Sequence, residues 1–297
     1  MKKAKKDLRF RAIDSNKSDV LIYCFVIFCL FMFLIPICRY TLPSFDGAMN
    51  LQVPKNLIEN GKYAADYPVF TLFDIKIQTG APVLIPIAFL MLLFGKTFNV
   101  VLVINALYIV LLVAAVAIIM MRKNYATIWF LFSFLMLIIT PYFWVYGFGI
   151  YGEICGLALV FMGLLFLTPK TKTGDNDNVF NDRFFISGIF FGLAVLTKTV
   201  LMICVGGCTF VLLVNLCTRK IKIRQVVFFA LGFFAPILLF EIYKVTQMGT
   251  DAYLQFCREQ ITSIMQQAGV KEGFSDTDNR LTKLVTHFQL FRSYFNV

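Results

Sequence analysis

The chain of 297 residues contains a single histidine, His287, and only 15% of its residues are charged. With one histidine, which lies in the tail, no Cys/His metal set can form around Cys204 and Cys208, although these two cysteines share a helix face. Hydrophobic residues make up 59% of the chain, whereas soluble domains average roughly 45–50%. The composition therefore excludes an ordinary soluble domain and indicates a membrane protein.

The first apolar stretch does not have the pattern typical of a cleavable signal peptide. The first apolar stretch, Val20–Cys38, is too long for a signal-peptide core and no Ala-x-Ala-like site follows it, so it predicts a retained span. A 14-residue stretch, Pro82–Gly95, is too short for a full span and favours a re-entrant or interfacial helix. The fold class predicted is an all-α polytopic bundle whose seven spans are Val20–Cys38, Phe98–Met121, Tyr125–Thr140, Ile154–Thr168, Phe184–Thr197, Thr199–Cys217 and Val226–Thr246.

The net charge of +11 is concentrated in a few places. Seven Lys and Arg residues lie within the first 17 residues, and a second cluster lies between Arg219 and Arg224. Basic clusters beside apolar spans indicate contacts with membrane lipids and a cytoplasmic location, and they need no nucleic-acid partner. If Pro82–Gly95 does not cross the bilayer, both clusters are cytoplasmic; if it does, the second cluster lies outside.

Counting the crossings from a cytoplasmic N-terminus assigns each loop to one side of the membrane. This parity divides the chain into a basic cytoplasmic N-terminus (1–19), a transmembrane core (20–249) with an outer loop (39–97), and an extracytoplasmic tail (250–297). It also places three ionisable residues on the extracytoplasmic side: Asp46, Glu153 and Lys198. Charges at the edge of the hydrocarbon are costly and usually functional. Two carboxylates and a lysine on one face suggest a site for a phosphorylated substrate, with a divalent ion that Asp46 and Glu153 could hold.

Each of these residues also has a purely structural explanation. Asp46 could cap the helix that follows it, because Asp is a favoured N-cap residue. Glu153 opens an apolar helix, whose dipole stabilises a carboxylate there. Lys198 lies in a tight turn between two spans, where a lysine can extend toward the interface. Residue chemistry alone leaves both readings open for all three.

The outer loop predicts one amphipathic helix after Asp46, interrupted at Pro54 and ended at Gly61. Met49, Val53 and Leu57 lie toward one face of this helix, a stripe suited to the membrane surface.

Four segments, in order along the chain, together resemble the GT-C superfamily of polytopic glycosyltransferases that use polyprenyl-phosphate sugars. The resemblance extends from Asp46 to Leu201 and is nearest to protein O-mannosyltransferase-like enzymes and lipid A aminoarabinose transferases. The segments are FDGAMNLQVPKNLIENGKYA, TGAPVLIPIAFLMLLFG, YGEICGLALVFMGLLFL and GIFFGLAVLTKTVLMI.

The resemblance implies transfer of a sugar, with inversion, from a polyprenyl-phosphate donor to an extracytoplasmic lipid, glycan or protein acceptor at the plasma (inner) membrane. Asp46 would be the catalytic base, and Glu153 would be a second acidic residue that positions the acceptor or a metal. Lys198 would hold the lipid-linked phosphate. Lesser candidates for donor contacts are Lys55, Tyr63 and Lys76.

The chain departs from the superfamily in two respects. Asp46 is followed by Gly47, so the paired Asp-Glu of mannosyltransferase-like members is absent. The superfamily also has more spans than seven, so a fragment, a truncated product or a minimal form is expected here. A transporter or flippase, or a non-catalytic homologue, remains an alternative, although the sequence shows no internal repeat of the transporter type.

Overall fold

The computed structural model describes residues 19–37, 45–66, 69–75, 77, 79–168 and 177–267. These residues are mainly helical, with one short antiparallel pair of strands, β1 (Ala64–Ala65) and β2 (Thr71–Leu72). A 3-10 turn, Thr199–Leu201, precedes α10. The helices are α1 (Asp19–Ile37), α2 (Phe45–Asn50), α3 (Gln52–Asn60), α4 (Ala81–Phe94), α5 (Phe98–Arg122), α6 (Thr127–Ile139), α7 (Pro141–Phe148), α8 (Glu153–Leu167), α9 (Asp177–Thr197), α10 (Met202–Cys217), α11 (Ile223–Met248) and α12 (Thr250–Gln267).

The all-α polytopic architecture is confirmed, and a helix occupies each of the seven stretches predicted to span. Within the described residues, four helices are long and apolar enough to cross a membrane: α1, α5, α11, and α10 with its preceding turn. The bent pair α6–α7 adds a fifth if it forms one span. The count of seven spans is therefore not confirmed.

The first compact unit, which ends at Tyr243, is built around α5 and α8. On one side, α1, α6 and α7 pack against these helices, and α9, α10 and α11 contribute to a second apolar cluster. Glycines let α9 and α11 approach closely, because an added Cβ would lie 2.1 Å from the Phe229 oxygen at Gly188 and 2.0 Å from the Phe185 oxygen at Gly232. Small residues at such contacts are typical of helix packing in membranes.

Polar contacts at one end of this unit show how the helices are oriented. The Arg122 guanidinium at the end of α5 donates to the Leu165 oxygen at 2.6 Å and the Thr168 oxygen at 3.2 Å, at the end of α8. Thr127 at the start of α6 donates to the Asp19 carboxylate at the start of α1. Helices α5 and α8 therefore run in the same direction, and the predicted parity requires the same arrangement.

Helix α4 matches the predicted short element and runs back along the start of α5. The Tyr108 hydroxyl of α5 donates to the Pro82 oxygen at 2.8 Å, near the start of α4. At the other end of α4, Lys96 pairs with Glu59 of α3 at 2.6 Å. Helices α3 and α4 thus lie side by side in the same direction, and α4 turns into α5 through Gly95.

Two details of the predicted helices are wrong. The helix after Asp46 breaks at Leu51 rather than at Pro54, because Pro54 lies in the first turn of α3, where its missing N–H has no intrahelical partner to lose. None of the seven predicted spans includes Pro141–Phe148, but α7 forms there, bent by 71° from α6.

The predicted membrane-facing stripe of the outer loop is also corrected. Val53 is fully buried, and α3 packs mainly on α4, so protein rather than lipid covers this face. The prediction that Gly61 ends the helix is confirmed, since Gly61 adopts φ 65° at the C-terminus of α3.

The second compact unit begins at Lys244 and includes the end of α11 and the helix α12. Within it, the Lys244 ammonium lies 5.2 Å from the centre of the Phe256 ring, a distance typical of cation–π contacts.

We expect Arg122→Gln to lower the free energy of unfolding by about 1.5–3 kcal/mol, because it removes a charged donor from the carbonyls that end α8. Equilibrium unfolding in mixed dodecyl maltoside and SDS micelles measures this change. Lys123→Gln is the matched control, since Lys123 is exposed beside it; equal losses in the two variants would contradict the assignment.

Candidate functional site

Four chain segments meet at the end of the bundle opposite Arg122. They are the end of α2, the pair Thr79–Gly80 before α4, the turn Ile150–Glu153 that leads into α8, and Thr197–Lys198 at the end of α9. Each belongs to one of the four segments on which the superfamily resemblance rests. Residues far apart in sequence therefore form one junction.

The junction contains a close contact between two backbones. The Gly80 N–H donates to the Thr197 oxygen at 2.9 Å. A Cβ at Gly80 would lie 1.6 Å from the Leu196 oxygen, so only glycine fits. This contact fixes the start of α4 against the end of α9.

The turn before α8 has an unusual backbone. Ile150 has φ 60° and Gly152 has φ 85°, both in the left-handed region. Glycine adopts this region readily, but it is strained for a β-branched residue such as isoleucine. Such strain is found at sites where the surrounding structure fixes the backbone.

The turn and the end of α9 are joined by an ion pair. The Lys198 ammonium lies 2.9 Å from Glu153 Oε1 and donates to the Tyr151 oxygen at 3.2 Å. The two side chains are only 16% and 28% exposed, so solvent screens the pair less than a surface pair. The second carboxylate oxygen, Glu153 Oε2, is buried and has no hydrogen-bond partner among the residues that the structure describes.

Two residues that the sequence did not single out complete the junction. Asn50 donates from its amide to Thr79 Oγ1 at 2.9 Å and to the Ile150 oxygen at 2.8 Å. The Thr79 hydroxyl donates to the same Ile150 oxygen at 2.7 Å. The sequence carried little signal for them, because the partners that a buried amide requires lie in two other segments.

Asp46 lies in α2, one helical turn before Asn50, and its side chain is exposed. Residues four apart share a helix face, so Asp46 projects from the side of α2 that carries Asn50. Asp46 is the second residue of α2, whereas an N-cap residue lies immediately before the helix.

The three lesser candidates have different surroundings. Lys55 lies 3.4 Å from Asp66 and 3.9 Å from Glu59 on the exposed side of α3. The hydrogen bond from Lys96 lowers the pKa of Glu59 below its usual value. Lys55 is thus part of a surface ion network, and Lys76 lies outside the described residues.

Tyr63 is 5% exposed and packs in an aromatic cluster. Its ring stacks on Phe73 with centroids 5.1 Å apart and meets Phe240 edge-on at 5.6 Å. Burial raises the pKa of Tyr63 above its ordinary value. Tyr63 therefore fixes the outer loop against α11, and its ring is not open to a donor.

The described residues do not form a site that fits a resident divalent metal. No three His, Cys, Asp or Glu side chains come together among them. Glu153 is held by an ammonium 2.9 Å away, and that positive charge opposes a cation at the same carboxylate. The expectation that Asp46 and Glu153 could hold a metal is thus not supported by this arrangement.

No protein-family model matches the chain, and no curated protein matches it in sequence. Its fold is similar to the crystal structure of ArnT from Cupriavidus metallidurans bound to undecaprenyl phosphate, with a TM-score of 0.55 and 15% sequence identity. The similarity covers 75% of this chain and 41% of the ArnT chain, so this chain spans less than half of its length. The described helices of this chain therefore share an ArnT-like fold.

We expect Gly80→Ala to prevent the junction from closing, because its methyl group would meet the Leu196 oxygen, a backbone atom that cannot rotate away. The variant should lose folded protein on size-exclusion chromatography in detergent. Gly207→Ala is the matched control, since no atom of the described residues lies within 4 Å of the added Cβ. A folded Gly80→Ala variant with the stability of Gly207→Ala would show that the backbones are not in contact.

Proposed function

We propose that this chain is a membrane glycosyltransferase that takes a sugar from a polyprenyl-phosphate donor and transfers it, with inversion, to an extracytoplasmic acceptor. The observation that carries the proposal is the partly buried Lys198–Glu153 pair at the junction of the four segments. The GT-C-like fold supports the general class. A cation held at this junction suits a substrate with a phosphate group.

Lys198 would neutralise the leaving phosphate. An ammonium is a compact charge that binds phosphate well, and charge-assisted hydrogen bonds are stronger than neutral ones. The bond between the anomeric carbon and the phosphate oxygen breaks with its electron pair on that oxygen. Stabilising this negative charge where it develops is how electrostatic catalysis lowers a barrier.

Asp46 would act as the general base. The acceptor hydroxyl oxygen bonds to the anomeric carbon from the face opposite the phosphate, which inverts the configuration. The hydroxyl proton passes to the Asp46 carboxylate, and polyprenyl phosphate departs. The exposure of Asp46 leaves room for an acceptor, and its position on the Asn50 face of α2 directs it toward the junction.

Glu153 would position Lys198 rather than a metal. Its Oε1 and the Tyr151 oxygen both accept from the ammonium, and together they fix its location before the donor binds. The unpartnered Oε2 could accept a hydrogen bond from a hydroxyl of the acceptor or the sugar.

The site would face the outside of the plasma membrane. With the basic N-terminus in the cytoplasm, the end that contains Asp19, Arg122 and Thr168 is cytoplasmic, and the junction lies at the opposite end. The polyprenyl chain of the donor and the surrounding membrane lipids would contact the apolar surfaces of the helices.

We expect Lys198→Gln to weaken binding of undecaprenyl phosphate about 10- to 100-fold, because the charge-assisted bond to phosphate is lost. Native mass spectrometry of the purified chain in detergent measures this affinity. Lys123→Gln, which removes an exposed lysine at the opposite end, should bind like the unsubstituted chain. Equal affinity in both variants would count against a phosphate at Lys198.

Asp46→Asn should reduce kcat about 10²- to 10⁴-fold, because the asparagine amide cannot accept the acceptor proton. Release of undecaprenyl phosphate from donors that carry different sugars, in proteoliposomes supplied with an envelope extract, measures turnover. Asp251→Asn is the control, since Asp251 is also an exposed aspartate in the first turn of a helix. Full activity in Asp46→Asn would exclude Asp46 as the base.

The orientation is tested with single cysteines. Lys62→Cys, in the exposed outer loop, should react with a membrane-impermeant maleimide in intact cells, and Lys123→Cys should react only after lysis. The labelling of the unsubstituted chain is subtracted as background. The reverse pattern would place the junction in the cytoplasm.

A further inference from the structure

Asn50, Thr79 and Ile150 are joined to one another by a closed set of three hydrogen bonds in the interior of the protein. Asn50 is 3% exposed, and Thr79 and Ile150 are each 1% exposed. An amide nitrogen has two N–H groups, and both are used: one donates to Thr79 and one to Ile150. The Thr79 hydroxyl accepts the first of these bonds and donates its own proton to Ile150.

This set acts on the strained part of the turn. Both donors converge on the oxygen of Ile150, the β-branched residue with φ 60°. A residue in this conformation is retained only where the surrounding structure fixes it. The next carbonyl along the chain belongs to Tyr151 and accepts from Lys198, and Glu153 follows two residues later. Whatever holds Ile150 therefore also sets the location of the Lys198 ammonium.

The same set acts on the helix that carries Asp46. Asn50 is the last residue of α2, and Asp46 lies one turn before it. Because a helix moves as a rigid element, fixing its last residue to Thr79 and Ile150 fixes the direction in which Asp46 projects. Asn50 and Thr79 thus form a hydrogen-bonded link between α2 and the turn that carries Glu153.

We propose that Asn50 and Thr79 are positioning residues. They fix the Asp46 carboxylate and the Lys198 ammonium relative to each other on the two sides of the reaction centre. The inference rests on the proposed function, and it adds two residues that touch neither the donor nor the acceptor. Loss of the link should affect donor affinity through Lys198 and turnover through Asp46.

The test uses variants of Thr79 in the full chain. Thr79→Val keeps the shape but removes the hydroxyl, and Thr79→Ser keeps the hydroxyl. Thr79→Val should bind undecaprenyl phosphate about three- to tenfold more weakly by native mass spectrometry, the range expected for one neutral hydrogen bond, and Thr79→Ser should restore the affinity. Thr218→Val is the control, since the Thr218 hydroxyl donates to the Val214 and Asn215 carbonyls of α10, the helix that it follows.

A double-mutant cycle separates positioning from general stability. If Thr79 acts through the turn that holds Lys198, Thr79→Val should lose its effect on affinity in a Lys198→Gln background. A loss of affinity that stays unchanged in that background would overturn the inference. So would a Thr79→Val chain that binds and turns over like the unsubstituted chain.

Asn50→Ala tests the other half of the link. It should lower kcat at saturating donor, because α2 is no longer fixed, in addition to raising the donor concentration needed for half-maximal rate. A change in melting temperature with both kinetic parameters preserved would assign Asn50 a structural role alone and overturn the inference. If the unsubstituted chain neither binds undecaprenyl phosphate nor releases it, the proposed function fails, and the inference fails with it.

Discussion

The junction depends on a contact that side chains alone could not make. The Gly80 N–H donates to the Thr197 oxygen, and the approach is so close that a single methyl group would prevent it. This contact brings the outer loop to the level at which α9 ends and α8 begins. The Lys198–Glu153 pair and the Asn50–Thr79 bonds then form between segments whose backbones are already fixed.

Much of this arrangement could be predicted from the sequence. A long apolar stretch in a membrane forms a helix, because every backbone polar group must be paired within the segment. The parity argument grouped Glu153 and Lys198 at one end without any contact information, and the structure places them 2.9 Å apart. The role of Gly61 was recognisable because a glycine that follows a helical pattern commonly ends the helix.

Other features depended on partners that are distant in sequence. Leu51 favours a helix, so nothing local indicated a break there. The resemblance made Tyr63 a candidate for a donor contact, yet Phe240 of α11 packs edge-on against its ring. Asn50 gave little sign of burial, since its acceptor at Ile150 lies in another segment. In each case tertiary contacts outweighed the local pattern.

The bond between Tyr108 and Pro82 has a consequence for the depth of the junction. Tyr108 lies ten residues after the start of α5, which corresponds to about 15 Å along a helix axis. Pro82 is only two residues beyond Gly80, so the junction lies at about this depth below the start of α5. The pairing of Lys96 with Glu59 shows that α3 and α4 both extend from the junction toward the level at which α5 begins. The junction therefore lies deeper in the bundle than the first turns of α5.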